Sequence, residues 1–300
     1  MNQDRKNVIV CFGEVLWDML PVGSQPGGAP MNVAIHLKRQ KIDPVLVSRV
    51  GNDQDGRQLR EFLSSSGIGL NHLQTDEVLP TSRVIVQLDE ERNATYEICE
   101  PVAWDNICWN DPLGKLAEEA SLIIFGTLAS RNAATRRTLL RFLDHSHGLR
   151  FLDVNLRPPY DNRELTEQFL GLADFVKLNE EELEKIASWN GKKGSIKKMT
   201  LWLSDKFVCP DVCVTRGAKG ALLYRDGVIH EHPGFQVDAF DTVGSGDAFL
   251  AGLVAGLLKN NTAGSALQYA CATGAFVASK PGAVPEYTPA DIASQAFRKA

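Results

Sequence analysis

The segment Asp241-Thr242-Val243-Gly244-Ser245-Gly246-Asp247-Ala248-Phe249 could do chemistry. A glycine-rich turn there opens directly into an apolar helix. The first backbone amides of such a helix have no intrahelical partner, and the helix dipole adds positive potential. Together they make an anion site, and glycines let the backbone approach an oxyanion closely. Asp247 is out of place beside a bound phosphate, because like charges repel. The conflict disappears if Asp247 is a general base that takes the proton of a hydroxyl attacking that phosphate. The competing account has Asp247 complementing the helix dipole and the glycines making an ordinary turn. Two other phosphate motifs fail on spacing. No Gly-x4-Gly-Lys-Ser/Thr occurs, and Phe249 stands where a dinucleotide fingerprint needs its third glycine. A Gly-x-Ser-x-Gly hydrolase elbow is also missing from this segment.

Five further segments place polar residues beside predicted strand ends or helix starts. Gly27-Gly28-Ala29-Pro30-Met31-Asn32 sets glycines before a helix, with Asn32 able to donate to and accept from hydroxyls. The plain alternative is a loop-to-helix cap. Gly13-Glu14-Val15-Leu16-Trp17-Asp18, if extended, brings Glu14 and Asp18 to one face. Asp18 could then accept paired hydrogen bonds from a polyol beside an apolar Trp17 wall, or be no more than an edge-strand carboxylate. Asp153, Asn155 and Arg157 alternate at the end of a buried strand, where Arg157 could neutralise phosphate charge. Asn179-Glu180-Glu181-Glu182 begins a helix, where carboxylates orient Mg²⁺ waters or merely complement the dipole. Thr215-Arg216-Gly217-Ala218-Lys219-Gly220 follows a strand, and its glycines would admit a nucleotide closely.

Strands alternating with helices must position these segments. Val8–Phe12, Val45–Val50, Leu122–Phe125, Phe151–Asn155, Phe175–Leu178 and Val212–Thr215 read as strands. Helices are predicted at Met31–Gln40, Asp55–Ser66, Ala133–His145, Glu164–Leu170, Glu180–Ser188, Ile196–Ser204, Asp247–Leu258, Ala263–Ser279 and Pro289–Arg298. Thr81–Cys99 breaks the alternation with a period-2 hairpin turned at Glu90-Glu91-Arg92-Asn93, which looks like a separate flap. The alternation predicts an α/β layered fold with an open, mostly parallel sheet, and ligands in such sheets sit beyond the carboxyl ends of the strands.

Composition narrows the class. With 300 residues and a net charge of −5, the chain lacks the basic face that a nucleic acid usually requires. No stretch approaches the ~18 uninterrupted apolar residues of a membrane helix, and the polar start, Met1 to Asn7, has no signal-peptide core. The six cysteines carry no zinc-site spacing and are expected as reduced thiols in a cytoplasmic protein.

In their order along the chain, the motifs resemble the ribokinase-like, or PfkB, carbohydrate kinases. Asp241-Thr-x-Gly-Ser-Gly-Asp247 matches that family's C-terminal signature, and Gly27-Gly28-x-x-x-Asn32 its N-terminal one. Asn179-x-x-Glu182 and Thr215-x-Gly217 lie between them, and the resemblance runs from Val8 to about Pro285. It implies a three-layer ribokinase-like fold over residues 1–300, with a central mostly parallel sheet and a small β lid from about 14–26 and 80–104. It further implies Asp247 as catalytic base and the amides of Gly244, Ser245 and Gly246 as the phosphoryl anion hole. Asp18, Gly27, Gly28, Asn32 and Arg157 would serve the sugar. Asn179, Thr215, Gly217, Gly220 and Gly246 would serve ATP, and Glu182 would meet Mg²⁺ through water. K⁺ near the Asp241 loop and Gly282, and a homodimer through the lid, are also implied. Within the family, fructokinases are nearest, which implies ATP-dependent phosphorylation of fructose on a primary hydroxyl. Ribose, a nucleoside or 2-keto-3-deoxygluconate is the alternative acceptor, and a non-catalytic sugar or nucleotide sensor the alternative class. Two positions depart from the pattern: Cys271 where related fructokinases carry an Asn near the adenine, and Ser245 in place of the commoner Ala.

Overall fold

The computed structural model describes residues 7–20, 23–88, 94–259 and 261–297. The expected hairpin turn Glu90-Glu91-Arg92-Asn93, the start of the chain before Asn7 and the helix end at Arg298 lie outside the described residues. The class is α/β, with a large, mostly parallel sheet and a second sheet of four strands. Two compact units divide the chain. The first takes the described residues up to Ile35, Asp43–Ile123 and Ala129–Gly148. The second takes His36–Ile42, Ile124–Leu128 and the described residues from Leu149 onward.

The first unit begins with β1 (Val8–Phe12), β2 (Leu16–Leu20), β3 (Gly23–Gly27), α1 (Ala29–Arg39, to Ile35), β4 (Pro44–Gly51), α2 (Gln54–Ser65) and β5 (Leu73–Asp76). It continues with β6 (Ser82–Leu88), β7 (Ala94–Ile98), α3 (Asp111–Glu119), β8 (Ala120–Gly126, to Ile123) and α4 (Ala133–His145). Strand β1 is apolar and buried from Ile9 onward, as expected of a strand covered on both faces. It pairs in parallel with β4, and β4 with β5. The small sheet has the order β3-β2-β6-β7. Strand β2 runs antiparallel to β3 and parallel to β6, and β6 and β7 form the expected antiparallel pair.

The second unit holds β9 (Leu149–Asp153), α5 (Arg163–Leu170), β10 (Phe175–Asn179), α6 (Glu180–Trp189), α7 (Ile196–Phe207), β11 (Asp211–Thr215), β12 (Ala221–Arg225) and β13 (Val228–His232). Helices α8 (Ser245–Leu258), α9 (Ala263–Ala278) and α10 (Pro289–Phe297) follow. Its strands lie in the order β13-β12-β11-β10-β9, parallel from β9 to β11 and antiparallel beyond. Helix α8 is buried all round from Ala248 to Gly256. It lies against α9 because two of its positions are bare. A Cβ on Gly252 would fall 2.6 Å from Thr273 Oγ1, and one on Gly256 2.9 Å from the Ala266 Cα.

The elements depart from the sequence expectation at several points, helix α3 and strand β5 among them, which it does not contain. Strand β9 ends at Asp153, and Asn155 adopts φ +42°, so Asp153, Asn155 and Arg157 do not alternate along one strand face. Helix α8 starts at Ser245 rather than Asp247, which sets Asp247 inside the first turn. Strand β3, Gly23-Ser24-Gln25-Pro26-Gly27, has no strand-forming composition and exists through its pairing with β2.

Candidate active site

In the second unit, the loop into α8 is built around Gly244. It is the helix N-cap with φ +74°, and a Cβ there would fall 2.4 Å from the Ala283 carbonyl oxygen. Only glycine meets both conditions without strain. Upstream, Asp241 Oδ1 accepts from the Val243 amide at 3.0 Å, and the Phe240 and Asp241 amides donate to the Ala278 carbonyl at 2.8 and 3.2 Å. The Ser245 amide donates to the Thr242 carbonyl at 3.2 Å, and its hydroxyl donates to the same oxygen at 2.7 Å. Ser245 is therefore committed to closing the turn. The Gly246 and Asp247 amides belong to the first turn, where the intrahelical ladder offers no acceptor. Asp247 is half-buried.

Lys177, in the middle of β10, lies under this turn. Its register opposite Asp153 on β9 puts both side chains on one face of the sheet. Nζ contacts both Asp153 carboxylate oxygens at 3.0 Å, and both side chains are buried. A Cβ built on Gly246 would stand 3.5 Å from that Nζ. Burial works against the ammonium, but Asp153, Glu182 and Asp247 outweigh it and hold its pKa above the usual lysine range. Lys177 belongs to none of the motifs that the sequence offers for chemistry. The signal for it is a lysine inside an otherwise apolar strand, Phe175-Val176-Lys177-Leu178.

Asn179 and Glu182 form a reciprocal cap at the start of α6. Asn179 Oδ1 accepts from the Glu182 amide and Glu182 Oε2 from the Asn179 amide, both at 2.8 Å. Glu182 Oε1 accepts from the Leu156 amide, also at 2.8 Å. Burial raises the Glu182 pKa, with Lys177 opposing and Asp153 adding to the shift. With both oxygens taken by amides, Glu182 would meet a metal ion through water. Among the described residues, no three His, Cys, Asp or Glu side chains form a group that could hold a metal ion by themselves.

At the end of β11, Thr215 is half-buried and pairs with Ala221 of β12. The loop between them is closed by bonds from the Arg216 amide to Gly220 O, 2.8 Å, and from the Gly220 amide to Gly217 O, 3.0 Å. Gly220 has φ +81°, and a Cβ there would lie 2.0 Å from the His232 carbonyl oxygen. Gly217, at φ +56°, faces open space. Burial pushes the Cys271 thiol up to about 12, with Arg216 pulling the other way. Arg157 is exposed, its Nη1 3.5 Å from the Leu156 carbonyl.

A separate constellation lies in the first unit. Asp18, in β2, stands opposite Gln25 of β3 and Val84 of β6. A Cβ on Gly27 would fall 2.3 Å from Asp18 Oδ2, so the bare Gly27 backbone makes room for that carboxylate. Gly28, at φ +114°, comes so close to Glu14 that a Cβ would lie 2.5 Å from its carbonyl oxygen. The Asn32 amide donates to Gly28 O at 2.9 Å, and its side chain is buried in the first turn of α1. Glu14 is also buried, outside the strand. The Trp17 indole donates to Asp55 O at 3.1 Å; as consecutive residues of β2, Trp17 and Asp18 point to opposite faces, so the expected Trp17 wall does not stand beside the Asp18 carboxylate. This unit thus brings Asp18, Gly27, Gly28 and Asn32 into one neighbourhood, while the second unit gathers Asp247, Gly244 and Gly246 with Asn179 and Glu182.

The model of the "pfkB family carbohydrate kinase" matches residues 5–290. The fructokinase of Escherichia coli is 32% identical over 264 residues, covering 82% of this chain and 83% of its own. The uncharacterized sugar kinase PH1459 of Pyrococcus horikoshii is 30% identical over 272 residues, covering 84% and 83%. Its structure in complex with ATP superposes with a TM-score of 0.79 at 28% identity, over 97% of this chain and 100% of that one. The fructokinase of Vibrio cholerae O395, bound to fructose, ADP and calcium ion, superposes with a TM-score of 0.82 at 28% identity, over 97% and 99%. Matched over most of its length in sequence and fold, the chain belongs to the pfkB family of carbohydrate kinases.

Proposed function

We propose that this protein transfers the γ-phosphoryl group of ATP to a primary hydroxyl of fructose. The observation that carries this reading is Asp247 in the first turn of α8, directly behind a Gly244 that no other residue can replace without strain. In this reading Asp247 takes the hydroxyl proton as the oxygen attacks the γ-phosphorus. The bond between that phosphorus and the bridging oxygen breaks, and ADP leaves. The amides of Gly244 and Gly246 receive the transferring oxyanion in a dry site, where fixed dipoles count most. Ser245 is dropped from the expected trio, because its amide closes the turn with Thr242.

The remaining roles follow the family resemblance. Asp18, Gly28 and Asn32 bind sugar hydroxyls, and Gly27 serves the same site by leaving room for the Asp18 carboxylate. Asn179, Thr215, Gly217 and Gly220 line the nucleotide. Glu182 would hold Mg²⁺ through water, and the ion, bound with ATP, would supply charge neutralisation of the phosphates; K⁺ is part of the same reading. Arg157, exposed and with its Nη1 against the Leu156 carbonyl, gives no special support to an acidic sugar. The four-stranded sheet takes the part of the lid over about 14–26 and 80–104 within the single kinase domain, closing to exclude water from the acceptor. Two chains would pair through it; Ile85, an apolar side chain exposed on β6, supports such a surface. None of the described helices is long and apolar enough to cross a membrane, which agrees with a cytoplasmic kinase.

A coupled ADP-release assay with Mg²⁺ and K⁺ tests the reading across fructose, ribose, a nucleoside and 2-keto-3-deoxygluconate. Fructose should give the highest kcat/KM. A better alternative acceptor overturns the substrate, and sugar binding with no ADP from any acceptor overturns the kinase.

A further inference from the structure

Among the described residues, Lys177 is the one lysine counted in the buried interior. A buried ammonium is costly, and Asp153 offsets that cost with two 3.0 Å contacts. One carboxylate would be enough for neutrality. Lys177 instead has three around it, since Glu182 and Asp247 also act on its charge. The three differ in how they are held. Asp153 is tied to Lys177 itself, and Glu182 to the amides of Asn179 and Leu156. Asp247 rides on the first turn of α8, whose Gly246 leaves no side chain between the helix backbone and the ammonium.

We propose that Lys177 is a positioning residue for phosphoryl transfer: its ammonium, clamped by Asp153 under the first turn of α8, keeps Asp247 as the carboxylate that accepts the acceptor's proton. The proposal rests on the kinase reading given above. Without the cation, Asp153 and Glu182 would both repel a charged Asp247, and the base would hold a proton into the working pH range. The charged and titratable groups around Lys177 come from four other elements. They are Asp153 of β9, Glu182 of α6, Asp247 of α8 and Cys213 of β11, with Cys271 of α9 facing Cys213. Burial raises both thiols, so both stay neutral as the base works. Lys177 is thus the cation about which three carboxylates gather.

The competing role is a plain staple between β9 and β10, and the signs of the two roles differ. Lys177→Met should lower kcat by about 10²-fold and move the acid limb of kcat up by about one pH unit, with the sugar KM little changed. Asp153→Asn removes an anion and keeps the cation, so it should move that limb down. Lys177→Met alone leaves two buried carboxylates uncompensated and can unfold the protein. The double variant Lys177→Met/Asp153→Asn removes both charges, which usually restores stability. It should regain the wild-type Tm while kcat stays low and the limb stays raised, because the cation under the α8 turn has gone while Glu182 remains. Lys177→Arg should keep the limb in place. Return of kcat and limb to wild type in the double variant overturns the proposal, as does an unmoved limb in Asp153→Asn. Should the double variant fail to fold, Asp153→Asn and Lys177→Arg decide. A wild-type protein that releases no ADP with any sugar refutes the kinase reading instead, so the two failures are told apart.

Discussion

The imidazole Nε2 of His36 donates to the carbonyl of Ala283 across 3.0 Å, and that carbonyl is the atom against which Gly244 packs. A carbonyl only accepts, so Nε2 carries the hydrogen, and the neutral ring's Nδ1 accepts from the Tyr287 hydroxyl at 3.0 Å. The Tyr287 oxygen in turn accepts from Gln40 Nε2 at 3.5 Å, and Gln40 Oε1 accepts from the Tyr269 hydroxyl at 2.5 Å. Hydrogen bonds of one direction thus run from α9 through α1 to the loop that carries the helix N-cap. Arg39 adds to the same clamp with bonds to the Val284 and Pro285 carbonyls.

This network makes stability depend on pH. Burial first, then Arg39, lower the His36 pKa to about 3 against an Ala283 bond that raises it, so the folded ring stays neutral where an unfolded one is charged. Between about 6.5 and 3 the unfolded chain binds the extra proton, so stability falls as pH drops below 6.5 and levels off above it. At pH 5 the loss from this one ring is about 2 kcal/mol relative to pH 7. Urea unfolding of wild type and His36→Gln at both values checks it. The wild type should lose about that much more than the variant, and equal losses would show that His36 does not titrate in this way.

Replacing the base without changing its shape isolates the chemical step. Asp247→Asn should lower kcat by about 10²- to 10⁴-fold and leave sugar binding within a few-fold, because the side chain's size and place on α8 are kept. Single-turnover ADP release and sugar titration read the two quantities separately. Near wild-type turnover would remove Asp247 from the mechanism.

How far the sequence reveals these features depends on what each one needs. The Gly244 turn is legible because a backbone at φ +74° against a neighbouring carbonyl demands glycine whatever the rest of the fold does. Asn179 and Glu182 are legible for a similar reason: the cap is a local pattern three residues long. The Lys177–Asp153 pair is not, since it requires the register of two strands 24 residues apart in sequence. Strand β3 has Gly23, Pro26 and Gly27 in five positions, and its pairing partner overrides those weak propensities. Helix α3 has readable signals in its Asn110 cap and Pro112, but the apolar stripe of Leu113, Leu116 and Ala117 is too short to show a period. Asn155 shows the opposite failure, where an apparent alternation runs past the end of β9 into a left-handed turn.

Gly27 should act only through Asp18. A methyl at Gly27 would overlap Asp18 Oδ2, so Gly27→Ala displaces that carboxylate and should raise the sugar KM by about tenfold, a loss near 1.4 kcal/mol. Asp18→Ala should raise KM at least as much. Once Asp18 is gone, the added methyl still meets Leu16 Cδ1 at 3.1 Å, a terminal methyl that can turn aside, so Gly27→Ala/Asp18→Ala should be no worse than Asp18→Ala alone. Additive losses in this cycle would mean that Gly27 contacts the substrate independently.

The thiols give a test of the burial pattern that needs no turnover. Cys108 is exposed and Cys99 half-buried, whereas Cys11, Cys209, Cys213 and Cys271 are buried. Burial pushes Cys209 and Cys271 up to about 12 and Cys11 and Cys213 higher still, and only a thiolate attacks an alkylating reagent. At pH 8 a thiol with a pKa near 12 is ionised in about one molecule in 10⁴, so access and ionisation both protect the buried four. Iodoacetamide on the native protein, followed by peptide mass analysis, should modify Cys108 first and Cys99 more slowly. Cys271 should react only when the chain unfolds, at a rate that rises with urea in step with global unfolding. Native labelling of Cys271 as fast as Cys108 would mean that α9 opens locally at that position, and the packing described for α8 against α9 would not hold there.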